Sequence, residues 1–94
     1  MAPENYQRLV EPVRRILMED WDPIGVAGIP QAADEYDGYI PGVLGLVLRR
    51  ATPSAIADHL DHICSERMEL KPDRRRSMTA AAKLLSLLAT RRPC

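Results

Sequence analysis

The sequence predicts an all-α fold, a compact bundle of four to five short helices in a single domain. Apolar residues recur at spacings of three and four along most of the chain, which gathers them on one face of a helix. Phenylalanine is absent and aromatic residues make up 4%, so the core must be aliphatic; β-rich domains draw more heavily on aromatic and β-branched residues. The 94 residues suffice for one domain, and a chain this short buries only roughly 60–65% of the surface its unfolded form exposes.

The first helix is expected over about residues 4–19, where Tyr6, Leu9, Val10, Val13, Ile16 and Leu17 share a face. Pro12 either kinks it or falls in the first turn of a helix that starts near Glu11. It must end by Asp22, because Pro23 pushes its predecessor out of the α region. Residues 20–31 read as an inter-helix loop rich in proline and glycine. A short helix or turn is expected at 31–39, with Ala32, Ala33, Tyr36, Tyr39 and Ile40 forming an apolar stripe. A helix from about 41 to 50 follows, with Pro41 in its first turn. "VLGLVL" has strand-like composition, but its flanking pattern and alanine-rich neighbours favour helix.

Thr52-Pro53 reads as an N-cap followed by proline at the first helical position. That helix should run to about Met68 and bury Ile56, Leu60, Ile63 and Cys64. Asp58, Asp61, His62, Ser65 and Glu66 should lie mostly on its other side. The last helix is expected over about 73–90, capped by Asp73, with Met78, Ala81, Leu84, Leu85 and Leu88 inward. Residues 91–94 read as a frayed tail.

The formal net charge is zero, which gives no global signal for nucleic acid. The distribution is uneven. Residues 1–48 hold eight acids and three arginines, net −5, and residues 71–94 hold seven bases and one acid, net +6. Asymmetry of this kind reflects contacts between the two ends of the chain or two faces offered to partners. The basic run Arg74–Arg76, with Lys71, Arg91 and Arg92, lacks the aromatic platforms of a nucleic-acid reader. The five glycines match no phosphate-cradling loop. No apolar run approaches the ~20 residues that cross a bilayer. The N-terminus "MAPENYQRLVEP" lacks a signal pattern, and Cys64 and Cys94 form no pairing or zinc framework. A reduced, cytoplasmic protein is expected, with no membrane partner and no cofactor.

Two constellations invite a chemical reading. Asp34, Glu35 and Asp37, with Asp20 and Asp22 upstream, could bind a metal or act as acid and base. Their spacing does not converge on a ligand set, and acids early in a helix complement its dipole. In "DHLDHICSE", residues 58–66, His59, His62 and their carboxylate neighbours share helix faces. A zinc site needs ligands from more than one element, and the chain has no further histidine. Cys64 falls on the apolar stripe, where a free thiol behaves as a small hydrophobe. No catalytic set is assembled, and no metal site is assigned.

Trp21, the only tryptophan, should plug the end of the bundle with the loop wrapped over it. Exposed instead, Trp21, Tyr36 and Tyr39 would join Asp34, Glu35 and Asp37 in a face for a protein partner. A homodimer is a further possibility, with Val43 to Leu48 as its seam.

"EDWDPIGV", "DEYDGYIP" and "IADHLDHICSERMEL" together resemble a group of small bacterial helical proteins of unknown function. That group carries WDPIGV, then DEYDxYIP, then a helix ending in E-x-M-x-L. The resemblance spans residues 19–70. It implies a compact helical domain without assigned catalytic residues, and it implies that residues 20–41 act as one unit. More distantly, some small helical proteins of this kind resemble immunity proteins paired with bacterial toxins. With no assembled catalytic set, and with an aromatic and acidic segment suited to a partner, the expected function is a protein-interaction module, immunity-type or regulatory. The alternatives are a small metal-binding protein or enzyme using the Asp, Glu and His residues, and a nucleic-acid accessory protein.

Overall fold

Among the described residues four helices account for the architecture. The computed structural model describes the backbone of residues 3–89 and the side chains of residues 7–88. The Tyr6 side chain and the 91–94 tail, both assigned roles above, lie outside the described residues. No strand occurs among the described residues.

Helix α1 spans Pro3–Ile16 and runs through Pro12, so a start at Glu11 is excluded. Proline leaves the carbonyl of the residue four back without a donor. Here that residue is Arg8, on the exposed side of the helix, where solvent can satisfy it. The helix continues as a π-turn over Leu17–Trp21. Both Leu17 and Trp21, at the two ends of that turn, are buried. Asp22 then stops the helix in the left-handed region, at φ 31°, with its N–H donating to the Leu17 carbonyl. Asp and Asn tolerate that conformation better than other side chains that carry a Cβ.

The segment from 23 to 39 contains no long helix. It holds two single 3₁₀ turns, Pro30–Ala32 and Asp37–Tyr39. Gly25 and Gly28 sit at φ 78° and 89°, where a side chain would be strained. The expected helix-or-turn at 31–39 is thus a series of turns. Asp34 and Glu35 stand in those turns and not in a helix's first turn, which corrects the dipole reading for these two acids.

Helix α2 spans Ile40–Leu48 and buries Ile40, Val43, Leu44 and Val47, an i, i+3, i+4, i+7 stripe. Half of the Val43–Leu48 stretch expected as a dimer seam is thereby withdrawn from the surface. Val43, Leu44 and Val47 are already in this chain's own core, and only Leu48 is substantially exposed.

Helix α3 spans Pro53–His62 and continues as a second π-turn, Ile63–Arg67. Thr52 caps it as expected, its Oγ1 accepting from the Ala55 N–H at 3.1 Å. Ile56, Leu60, Ile63 and Cys64 are buried, as the stripe predicted, and Ala57 joins them.

Helix α4 spans Arg74–Ala89. Asp73 caps it through Oδ1, which accepts from the Arg76 N–H at 3.2 Å. Its inward face differs by one position from the expectation. Ser77, Ala80, Ala81 and Leu84 are buried, and Met78 is exposed. Small residues at 77, 80 and 81 let α4 approach α3 closely, and these two helices form the most extensive pairing in the fold. The radius of gyration, 12.8 Å, is close to the ~12–13 Å expected for a single globule of this length.

Candidate functional site

The segment that joins α1 to α2 is the most elaborately fastened part of the molecule. Its anchor is Asp22, which is 8% exposed. The Asp22 Oδ1 accepts the Tyr36 hydroxyl at 2.7 Å and the N–H groups of Gly25 and Val26 at 3.0 and 2.8 Å. Its Oδ2 accepts the Ala27 N–H at 3.0 Å. One carboxylate therefore folds the next five residues around itself and ties them to a side chain on the far side of the loop. The Tyr36 oxygen also accepts the Ile24 N–H at 3.1 Å, so it is both donor and acceptor within the latch.

Electrostatics follow from this geometry. Burial pushes the Asp22 carboxyl up, but the bonds from Tyr36, Val26, Ala27 and Gly25 outweigh it and hold the group below the usual carboxylate range. Burial, and next the bond to Asp22, push the Tyr36 phenol well above its ordinary value. The latch is therefore an ionised carboxylate and a neutral phenol across the whole physiological range.

Trp21 and Tyr36 are 2% and 1% exposed, which places both in the core and removes them from any surface. Their ring centroids lie 5.2 Å apart, tilted by 55°, and Tyr39 meets the indole edge-on at 6.3 Å. Edge-type aromatic packing of this kind adds to simple burial. The plug role expected of Trp21 holds. The placement of Trp21 and Tyr36 on a partner face does not, because the only large rings in the described core are needed to fill the bundle's end.

Two further ties fix the loop. Arg14 on α1 grips Asp37 through two parallel bonds, Nε to Oδ1 at 2.8 Å and Nη2 to Oδ2 at 2.9 Å, and also pairs with Glu11. Arg76 on α4 donates from Nη1 to the carbonyls of Trp21 and Asp22 at 3.3 and 3.4 Å. Part of the basic turn is thus spent inside the fold. Arg74 binds Asp58 and Asp61, and the buried Ser77 hydroxyl donates to Asp61 at 2.5 Å. Lys83 pairs with Asp20 at 3.0 Å.

The five acids of the 20–37 stretch consequently separate. Asp20, Asp22 and Asp37 each serve a contact within the fold, and Asp34 and Glu35 are exposed. Among the described residues no cluster of three or more His, Cys, Asp and Glu could hold a metal ion. His59 is half-buried against Gly42 and His62 is exposed. Cys64 is buried, its thiol donating to the Leu70 carbonyl at 3.7 Å, and burial raises it above an ordinary thiol. That is the inert state. A polar cavity of about 260 Å³ lies beside it, between Trp21, Pro23, Lys71 and Arg76.

What remains on the outside is a mixed surface in which two exposed isoleucines stand out. Ile24 and Ile29 are 44% and 45% exposed at the loop's crest. Between the loop and α1 runs an open groove of about 340 Å³, lined by Met18, Ile29, Pro30 and Ala33, with Glu11 and Glu19 balanced by Arg14 and Arg15 beside them. Sequence reasoning missed the groove and the two isoleucines. It also missed Asp22 as an anchor, although an Asp placed before Pro-X-Gly carries the signal of a side chain that captures the N–H groups following it. No protein-family model, no curated protein and no solved structure matches this chain.

Proposed function

We propose that the chain is a protein-binding module and that its binding surface is the outer side of the 23–35 loop, with Ile24, Ile29, Asp34 and Glu35 as its principal contacts. The observation that supports this most directly is the exposure of two isoleucines on a loop held in one conformation. Ordering a loop costs roughly 1–2 kcal/mol per residue. A connection longer than ~12 residues without its own regular structure is uncommon unless it serves a purpose. Here the chain commits a buried carboxylate, a buried tyrosine and a two-pronged arginine contact to fixing the loop. The result presents two large aliphatic side chains to solvent in a fixed arrangement. A rigid display of this kind lowers the ordering cost of association.

The reading keeps the exposed acids of the expected partner face and replaces its rings with the isoleucines. The binding role proposed is of the immunity or regulatory type, and no catalytic role enters it.

Affinity capture from the chain's native cells tests the proposal, comparing the natural sequence with an Ile24→Asp, Ile29→Asp double variant of unchanged helical circular dichroism. At least one protein should be retained by the natural sequence and lost by the variant. Identical retained sets would refute the assignment of this surface.

A further inference from the structure

The polar cavity of about 260 Å³ between the loop and α4 reaches the buried thiol of Cys64. Its walls come from three places. Trp21, Asp22 and Pro23 stand where α1 passes into the loop, Cys64 lies in the second π-turn, and Lys71, Asp73 and Arg76 surround the start of α4. Two acids and two bases line it, so its charge selects no ligand of either sign. Cys64 is 2% exposed, whereas Lys71, Asp73 and Arg76 are exposed. The cavity thus runs from surface side chains to a core sulfur. A water occupies about 30 Å³ in the liquid, so the space admits several waters or a small polar reagent.

The wall over the thiol is fastened unevenly. Within the loop, the bonds to the Asp22 carboxylate are short, 2.7 to 3.0 Å. Between the loop and α4, the exposed Arg76 reaches the carbonyls of Trp21 and Asp22 at 3.3 and 3.4 Å. Long bonds made at the surface are weaker than short buried ones. The Lys83–Asp20 pair holds the preceding π-turn to α4 and does not extend to the loop. The loop is therefore tighter within itself than against α4.

Going beyond the protein-binding reading, we propose that the loop gates the Cys64 thiol. Seated, with Arg76 on the two carbonyls, it leaves Cys64 a buried core group. Released from Arg76, it moves as a unit about Asp22, the Pro23 wall of the cavity opens, and Sγ meets solvent. The position of the loop then sets whether the thiol can react.

The test makes Cys64 the sole thiol by Cys94→Ser. Alkylation by iodoacetamide is followed in the folded chain at several urea concentrations below the unfolding transition. The rate should respond weakly to urea, because opening a loop exposes far less surface than unfolding the chain. Arg76→Ala should raise the rate roughly 5- to 10-fold, the shift expected when hydrogen bonds from a charged donor are lost. Arg76→Lys, which keeps the charge and shortens the reach, should give a smaller rise. Arg75→Ala, outside the cavity lining, should leave the rate unchanged. Acrylamide quenching of Trp21 emission should increase in the same order.

Equal rates in the natural chain, Arg76→Ala and Arg76→Lys overturn the proposal. So does a urea slope equal to that of global unfolding, which would place the thiol behind the whole core. A rise on Pro72→Gly without one on Arg76→Ala would put the entrance in the connection from α3 to α4, and would equally refute the loop as the gate. None of these outcomes depends on protein capture by Ile24 and Ile29, so the gate and the protein-binding reading can fail separately.

Discussion

The Tyr36 hydroxyl donates to the Asp22 carboxylate at 2.7 Å across fourteen residues of chain, and both groups are buried. This one bond closes the loop on which the exposed isoleucines ride. It converts the joint between α1 and α2 from a flexible connection into a fixed surface.

Removing the hydroxyl should expose the cost of that closure. Tyr36→Phe keeps the ring that packs on Trp21 and deletes the donor to Asp22 together with the acceptor for Ile24. A loss of about 1–3 kcal/mol is expected, the usual range for a buried polar group left without its partner. Chemical denaturation measures it. In a double-mutant cycle with Asp22→Asn the two losses should fall short of additive, because both break the same network. Full additivity would show that the two residues act independently.

The Asp22 carboxyl also sets an acid limit on stability. Its folded pKa lies below the ~3.9 of an unfolded aspartate, so the unfolded chain binds the proton first. The stabilisation is complete above that value and declines as pH falls through the folded one. Denaturation midpoints measured from pH 5 downward should therefore drop for the natural protein and drop less steeply for Asp22→Asn. Parallel acid limbs for the two proteins would count against the depressed pKa.

His59 predicts a second, milder dependence nearer neutrality. Burial, and next the proximity of His62, lower its folded pKa below the ~6.5 of a free imidazole. Below that pH the unfolded chain takes up a proton that the folded chain resists, so stability should fall between about pH 7 and pH 5. His59→Gln should flatten this limb, and His62→Gln, at an exposed position, should largely preserve it. Gly42→Ala is a companion test, since an added Cβ would meet the His59 Nε2 at 3.3 Å and require the ring to shift.

The two faces of α2 should separate cleanly under truncation. Leu44 is fully buried, and Leu44→Ala should cost about 2–5 kcal/mol. Leu48 is 40% exposed, and Leu48→Ala should change stability by no more than ~0.5 kcal/mol. Similar losses at both positions would mean that Leu48 is covered in solution, which equilibrium sedimentation would then have to explain.

The helices were legible in the sequence because their signals are local. Thr52-Pro53 announces a helix start, and Ile56, Leu60, Ile63 and Cys64 announce its buried side. Where the reading slipped, the deciding information was tertiary. Met78 looked like core because it is large and apolar, yet the close approach of α4 to α3 selects the small Ser77, Ala80 and Ala81. Val43, Leu44 and Val47 looked like spare apolar surface until α1, α3 and α4 closed over them. Trp21 and Tyr36 could be weighed as core or face, and only the geometry of the latch decides between them. Within this chain the WDPIGV and DEYDGYIP stretches are joined by one bond: the first holds the Asp22 end and the second the Tyr36 end. The candidate surface itself was hardest to see, because Ile24 and Ile29 carry no periodic signal and become notable only once the loop's conformation shows them exposed.

Arg76 reaches from α4 to the carbonyls of Trp21 and Asp22, 55 and 54 positions away in the chain. Trp21 is also the chain's only tryptophan. Its emission therefore reports a single place, the junction where the first helix, the loop and the last helix meet. A fluorophore so placed turns the seating of the loop into an optical signal that can be followed apart from the helical content, and it lets ligand binding at the loop be watched without attaching a dye.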